Sequence, residues 1–326
     1  MPVFNCRQYI EESANSILNQ TFTDFEFLII DDCSTDGTFE YLKTLDDPRI
    51  TLIRKPKNTG ITISLNIGLQ MATGEYIARM DGDDISLPDR FAKQVAFMDE
   101  NQDVIVCGGS YQIIGSDYRF APNTSNDDIV LDLMSHTPIA HPTVFLRTRT
   151  LKKNYIQYDL NYETAEDYKL WTVLSEYGKL ANLNDVLLYY RVHQNQITRQ
   201  RTETQLVMVA LIAFEYICNL SRNNEYTEHF YKAKINTAED LKKYDIVEDA
   251  VKSTLVERKV RINNIFFRER KSQGLRQSLT YDRYSIKQAI RDLELIIRGR
   301  KFLTNKFIVK YLVKSLGFSQ NHFPAN

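Results

Sequence analysis

The sequence predicts an α/β protein with a mainly parallel sheet flanked by helices, followed by a mostly helical C-terminal extension. Three observations carry that expectation. Over the first half, short apolar strands alternate with amphipathic helices. Two of those strands run into carboxylates, Asp31-Asp32 and Asp81-Gly82-Asp83-Asp84. From Thr202 onwards the chain has helical character and no proline before Pro324.

The elements follow in order. Tyr9, Ile10, Ala14, Ile17 and Leu18 have the spacing of a helix with one buried face. Phe25 to Ile30 reads as a buried strand, and Ser34 and Asp36 supply caps for a helix through Leu45. Ile50 to Ile53 is a third strand, Ile61 to Ala72 a helix closed by Gly74, and Glu75 to Met80 the strand that carries the acidic cluster. Pro88 opens a helix at a first-turn position, and Asp103 to Cys107 forms a further strand. Residues 126 to 191 mix short helices and strands. Only Pro2-Val3-Phe4 precedes the first helix, whereas a central parallel strand usually has roughly four to eight apolar residues. A first strand that begins upstream of Met1 is therefore expected, with the start codon there.

Length and composition narrow the class. With 326 residues there is room for a catalytic domain over residues 1–200 and a helical, basic region over 201–326. Hydrophobic residues make up 43% and charged residues 25%, the balance of an ordinary globular protein. The four cysteines, Cys6, Cys33, Cys107 and Cys218, show no C-x-x-C spacing, which argues against a disulfide framework or zinc site and for a reducing compartment. The N-terminus lacks the basic and apolar regions of a signal peptide. The longest apolar run, Leu206 to Phe214, is far shorter than the roughly 20 residues of a membrane span.

A net charge of −1 hides an asymmetry. Residues 251–326 carry 17 Lys and Arg against 5 Asp and Glu, a net +12 that leaves −13 for residues 1–250. Lys306, Lys310 and Lys314 repeat every four residues beside Leu303, Phe307 and Tyr311, a basic amphipathic helix. Such a helix suits an anionic bilayer surface, and equally a dock on the acidic part of the chain with its lysines in solvent.

The acidic runs carry the chemistry. Carboxylates this close repel one another and raise each other's pKa unless a cation sits among them. In open α/β sheets ligands bind beyond the carboxyl ends of strands, so Asp31-Asp32 and Asp81-Gly82-Asp83 are expected to converge on one crevice. Convergent carboxylates point to a divalent cation with a phosphorylated ligand. A third acidic pair, Glu166-Asp167, lies in Thr164-Ala165-Glu166-Asp167-Tyr168-Lys169-Leu170-Trp171.

Several segments together carry a resemblance. They are Pro2-Val3-Phe4-Asn5, Ser16-Ile17-Leu18-Asn19-Gln20-Thr21, Ile30-Asp31-Asp32-Cys33-Ser34-Thr35-Asp36-Gly37-Thr38, Asn58-Thr59-Gly60, Asn66-Ile67-Gly68-Leu69, and Gly74-Glu75-Tyr76-Ile77 through Asp83-Asp84. In this order they resemble family-2 glycosyltransferases of the GT-A fold, a Rossmann-like architecture, over roughly residues 2 to 200. The resemblance implies a metal-dependent, inverting transfer of a sugar from a nucleotide diphosphate sugar. The receiving group would be a hydroxyl of a glycan or lipid-linked acceptor, in surface polysaccharide or lipopolysaccharide synthesis on the cytoplasmic face of the membrane.

The same resemblance distributes roles. Asp83 is expected to hold manganese or magnesium, with Asp81 on ribose or metal and His193 completing the metal shell. Asp32 is expected to meet the nucleotide base, with Asp31 beside it and the backbone around Pro2 and Phe4 holding base and ribose. Arg191, in Arg191-Val192-His193-Gln194-Asn195-Gln196, pairs with the diphosphate. Asp167 is the expected catalytic base, while Glu166 supports it or binds acceptor. Trp171, one helical turn beyond Asp167, joins the acceptor side or packs beneath the base. His141-Pro142-Thr143-Val144 also matches the family and is expected to serve packing.

Other classes fit less well. A sugar nucleotidyltransferase needs a glycine-rich loop after its first strand, and Asn5-Cys6-Arg7-Gln8-Tyr9 has no glycine. A dinucleotide-binding oxidoreductase would show G-x-G-x-x-G. Nucleic-acid binding lacks a recognition module. A non-catalytic nucleotide-sugar-binding or scaffold protein on the same fold is the remaining alternative, against which stands the retention of Asp81, Asp83 and Asp167.

Overall fold

Phe27-Leu28-Ile29-Ile30-Asp31 forms the central strand of the first sheet, apolar because both its faces are covered. A computed structural model describes residues 1–193, 202–222, 238–260 and 267 of the chain. This strand, β2 (Phe27–Asp31), pairs in parallel with β1 (Pro2–Val3) and with β3 (Ile50–Arg54). The register sets Asp31 opposite Val3 and Arg54, at the carboxyl end of all three strands. Crossovers run through α1 (Ile10–Leu18) and α2 (Thr38–Leu42). Ile10, Ala14 and Ile17, at helical spacing, bury the inner face of α1. The next helix, α3 (Ile61–Met71), buries Thr62, Leu65 and Leu69 in the same way.

The remaining strands form a mixed sheet in the order β4-β8-β6-β9-β5, with β7 paired on β6. Here β4 is Tyr76–Ala78, β5 Ile85–Ser86, β6 Val104–Ile113, β7 Arg119–Phe120, β8 Phe145–Arg147 and β9 Lys179–Tyr190. Only β6 and β9 run parallel; every other pair is antiparallel. Of the mainly parallel pairing expected, the first sheet is wholly parallel, while β8 runs back between β4 and β6 in the second. Gly109 lets β6 and β9 approach, since a Cβ there would stand 2.4 Å from Leu187 Cδ1. Helices α4 (Arg90–Glu100), α5 (Asn126–Asp132), α6 (Thr148–Lys153) and α7 (Glu166–Leu174) connect these strands.

Some boundaries differ from the sequence expectation. The acidic strand leaves the sheet at Ala78 rather than Met80, although Arg79 N still bonds Val144 O at 3.0 Å. The helix expected to reach Leu45 ends at Leu42, and Pro88 precedes α4, whose N-cap is Asp89. The strand expected at Asp103–Cys107 continues to Ile113 because β9 pairs along it.

The core of this part packs Ile10, Ile17, Phe27, Phe91, Met98 and Phe145 between helices and sheets. Beside it an apolar cavity of about 190 Å³ lies among β2, α3 and β4, lined by Phe27, Ile30, Leu65, Gly68, Ile77 and Phe145. The chain divides into two compact units, Met1–Val130 with Thr137–Gln196, and Leu131–His136 with Ile197–Asn326. In the second, α8 (Thr202–Leu220) packs on α9 (Ala238–Glu257), burying Ile212 and Tyr216 on one and Val247 and Val251 on the other. No described helix is long and apolar enough to cross a membrane. The basic stripe at Lys306, Lys310 and Lys314 lies outside the described residues.

Candidate active site

The end of β1 is the hinge of the site. Asp32 N bonds Val3 O at 2.8 Å, which places the Asp31-Asp32 turn on one side of β1. Gly82 brings the acidic turn to the other side: a Cβ there would meet Val3 Cγ1 at 2.8 Å and Cys6 Sγ at 3.1 Å. The two acidic runs therefore flank one short strand, as their positions at strand ends predict. Pro2 lies within β1, and Phe4 follows it with 46% of its surface exposed.

Loops 4–7 and 31–38 are laced together. Ser34 Oγ accepts from Asn5 N at 2.9 Å, Asn5 Oδ1 from Thr35 N at 2.8 Å, and Asp36 Oδ2 from Arg7 N at 2.9 Å. Asp31 is fully buried, accepts from Ser34 N, and stands 3.5 Å from Arg54 Nε. Asp32 is held more firmly. Thr59 N and Gly60 N donate to its two oxygens at 2.9 and 2.8 Å, and Lys55 Nζ sits 2.6 Å from Oδ1 while also reaching Ser64 Oγ at 2.9 Å. The Asn58-Thr59-Gly60 segment is thereby folded onto Asp32.

On the other side, the carboxylates of Asp81, Asp83 and Asp84 each offer an oxygen within 4.8 Å of the others. Arg79 grips Asp81 with its fork, Nη1 to Oδ2 at 2.6 Å and Nη2 to Oδ1 at 2.5 Å. His193 Nε2 stands 2.9 Å from Asp83 Oδ2. Asp84 is fully buried; its Oδ1 accepts from Arg191 N at 2.9 Å, and its Oδ2 has no hydrogen-bond partner. Burial, then the neighbouring charges of Asp81 and Asp83, push the Asp84 carboxyl well above the usual carboxylate range. Burial also raises Asp81, against the pull of Arg79.

Arg191 meets protein groups. Its Nε donates to Asp83 O at 2.8 Å, its Nη2 reaches Glu12 at 2.6 Å, and its guanidinium stacks 4.8 Å above the Tyr9 ring. The same Tyr9 ring lies 4.9 Å from His193. The guanidinium expected to meet the diphosphate thus packs against the acidic turn.

Glu166 and Asp167 open α7 after Thr164, which takes a left-handed backbone with φ of 77°. Tyr168 N donates to Asp167 Oδ1 at 2.7 Å. Burial pushes the Asp167 carboxyl up to about 6, and burial with the Asp167 charge pushes Glu166 to about 7. Glu166 Oε2 is buried without a hydrogen-bond partner. Trp171, the acceptor-side candidate, is fully buried, its ring 5.9 Å edge-on from His141. His141 Nε2 lies 2.9 Å from Tyr158 OH, and burial together with the Arg79 charge keeps its pKa well below the usual value, hence a neutral ring.

One cation joins these groups. Asp81, Asp84, Glu166, Asp167, Tyr158 and His141 all feel the charge of Arg79. Sequence reasoning gave no role to Arg79, Asp84 or Lys55. Arg79 reads as an alternating polar residue of a strand, and Lys55 as a solvated lysine after one. Asp84 alone carried a signal, by adjacency to the acidic pattern.

The two sheets, the laced loop at the end of the parallel strands and the cluster of carboxylates beside it have the arrangement of the GT-A glycosyltransferase fold. The model of the family described as glycosyl transferase family 2 matches residues 1–163, and the chain belongs to that family. An uncharacterised glycosyltransferase of Haemophilus influenzae is 38% identical over 208 residues, 59% of this chain and 64% of that relative's length. The UDP-Glc:alpha-D-GlcNAc-diphosphoundecaprenol beta-1,3-glucosyltransferase WfaP of Escherichia coli is 33% identical over 200 residues, 61% of this chain and 78% of the relative. Among solved structures, S. aureus TarS 1-349 in complex with UDP-GlcNAc superposes with a TM-score of 0.56 at 21% identity, covering 85% of this chain and 88% of the other. The mannosyltransferase PcManGT from Pyrobaculum calidifontis, in complex with GDP-Man and Mn2+, superposes with a TM-score of 0.51 at 16% identity, covering 96% and 84%. The chain is a glycosyltransferase by family, and these neighbours share its fold.

Proposed function

We propose that the protein is a metal-dependent inverting glycosyltransferase that moves a sugar from a nucleoside diphosphate sugar to a hydroxyl of a glycan or lipid-linked acceptor. Surface polysaccharide or lipopolysaccharide synthesis is the setting, at the cytoplasmic face of the membrane; the diphosphoundecaprenol-linked acceptor of WfaP supports that choice. The observation that carries the reading is the placement of three carboxylates within 4.8 Å, in the same electrostatic field as a carboxyl raised to about 6.

The residues fit a divalent ion. The donor set is hard oxygen, and Asp84 Oδ2 is buried with no other partner. Asp83 and Asp84 would hold it, with Asp81 beside them and His193 steadying Asp83; manganese and magnesium both suit these ligands. When bound, the ion stabilises negative charge gathering on the leaving diphosphate. Asp32, fixed by Lys55 and the 59–60 amides, presents its carboxylate edge to a ring N–H of the base, with Asp31 behind it and the backbone of Pro2 and Phe4 alongside the ribose.

Asp167 takes the proton of the attacking hydroxyl. A pKa of about 6 leaves it ionised at neutral pH and a stronger base than an ordinary carboxylate. Glu166, raised further, shares that acidic pocket on the acceptor side. The decisive variant is Asp167→Asn, which is expected to keep nucleotide binding and lose transfer; retained turnover would overturn the assignment.

A further inference from the structure

Arg79 is an unusual neighbour for a metal site. Its side chain is 6% exposed and its backbone is clamped from both sides, the N–H on Val144 O at 3.0 Å and the carbonyl by Arg90 Nη2 at 2.8 Å. With the backbone fixed, the fork can address both oxygens of Asp81, at 2.6 and 2.5 Å, and it does so while Nε stays buried without a hydrogen-bond partner. One of the three clustered carboxylates is thus already neutralised by a resident cation. A dication entering the cluster would find Asp81 engaged and a positive charge next to it.

The fork of Arg79 suits a second kind of partner. A guanidinium matches the oxygens of a phosphate as well as those of a carboxylate. A diphosphate bound against the acidic turn would bring negative charge for the guanidinium and release Asp81 to the cluster.

We propose that Arg79 is a resident counter-ion that occupies Asp81 in the free protein, so that the divalent ion is held weakly alone and firmly only together with a nucleoside diphosphate. The proposal rests on the metal-dependent reading above and adds a positioning residue and a binding order to it. Coupling of this kind is reciprocal: the ion strengthens the nucleotide by the factor by which the nucleotide strengthens the ion. It keeps the acidic turn assembled between turnovers without a tightly held metal.

The test is the affinity of the full chain for Mn2+ without nucleotide, read from the paramagnetic resonance signal of the free ion. Arg79→Met is expected to bind Mn2+ at least tenfold more tightly than the unaltered protein. Arg79→Lys, which keeps the charge but cannot grip both oxygens, is expected to bind a few-fold more tightly and serves where Arg79→Met fails to fold. A merely structural role for Arg79 would weaken Mn2+ binding, so equal or weaker binding by the variants overturns the proposal. Asp83→Asn separates the two claims. If it loses Mn2+ binding while Arg79→Met gains nothing, the metal site stands and the counter-ion role falls. If Asp83→Asn matches the unaltered protein with and without UDP or GDP, the metal reading falls and the proposal with it.

Discussion

His193 Nε2 stands 2.9 Å from Asp83 Oδ2, so the segment after β9 closes back onto the acidic turn. The contact spans 110 residues of sequence. Groups that orient a metal-binding carboxylate typically contribute about 10–100-fold to metal affinity. His193→Ala is expected to weaken Mn2+ binding by that factor and to leave the melting temperature nearly unchanged, as titration of Mn2+ against both proteins would show.

Lys55 and Asp32 make a buried ion pair at 2.6 Å, with both side chains 6% exposed. Removing one partner of such a pair leaves a buried charge and costs about 3–5 kcal/mol. Lys55→Met should lower stability by that amount in chemical denaturation and weaken nucleotide binding. Adding Asp32→Leu should recover much of the stability and none of the binding.

Asp167 and Glu166 set a pH dependence. Both carboxyls titrate higher in the folded protein than in the unfolded chain, at about 6 and 7. The fold therefore favours their protonated forms: that stability is full below pH 4 and is lost as pH rises to 6–7. Activity runs the other way. The rate is expected to rise with pH through about 6 and level off, while Asp167→Asn, inactive, should melt higher than the unaltered protein at pH 8.

Gly68 sits inside α3 and lines the apolar cavity. A Cβ there would meet Ile30 Cδ1 at 3.6 Å, an ordinary contact. Gly68→Ala should stabilise by about 1 kcal/mol through helix propensity, with a small further gain from filling space. Differential scanning calorimetry would register a rise of a few degrees.

The legible parts of the fold and site were those with local signals. Strand β2 and α1 are written in runs and periodicities of a few residues; Asp31-Asp32 and Asp81-Gly82-Asp83 lie at or just beyond strand ends, and Glu166-Asp167 where a helix begins. The mixed second sheet was hidden, because β8 pairs with β4 across about 70 residues and nothing local marks its direction. Trp171 was left between the acceptor side and a place beneath the base, since one-turn spacing from Asp167 says nothing of what covers the ring. Arg79 and Lys55 were hidden for a related reason: an isolated cation looks solvated until tertiary packing gives it a carboxylate.

The central claim is a nucleoside diphosphate site completed by a divalent ion, and thermal unfolding with UDP, GDP, dTDP and CMP, each with and without manganese, tests it most directly. A ligand at a hundredfold its dissociation constant adds about 2.7 kcal/mol of stability, enough for a clear shift. The expected result is manganese-dependent stabilisation by one diphosphate, absent in Asp83→Asn. Cooperative melting that no nucleotide shifts, with or without manganese, would contradict it.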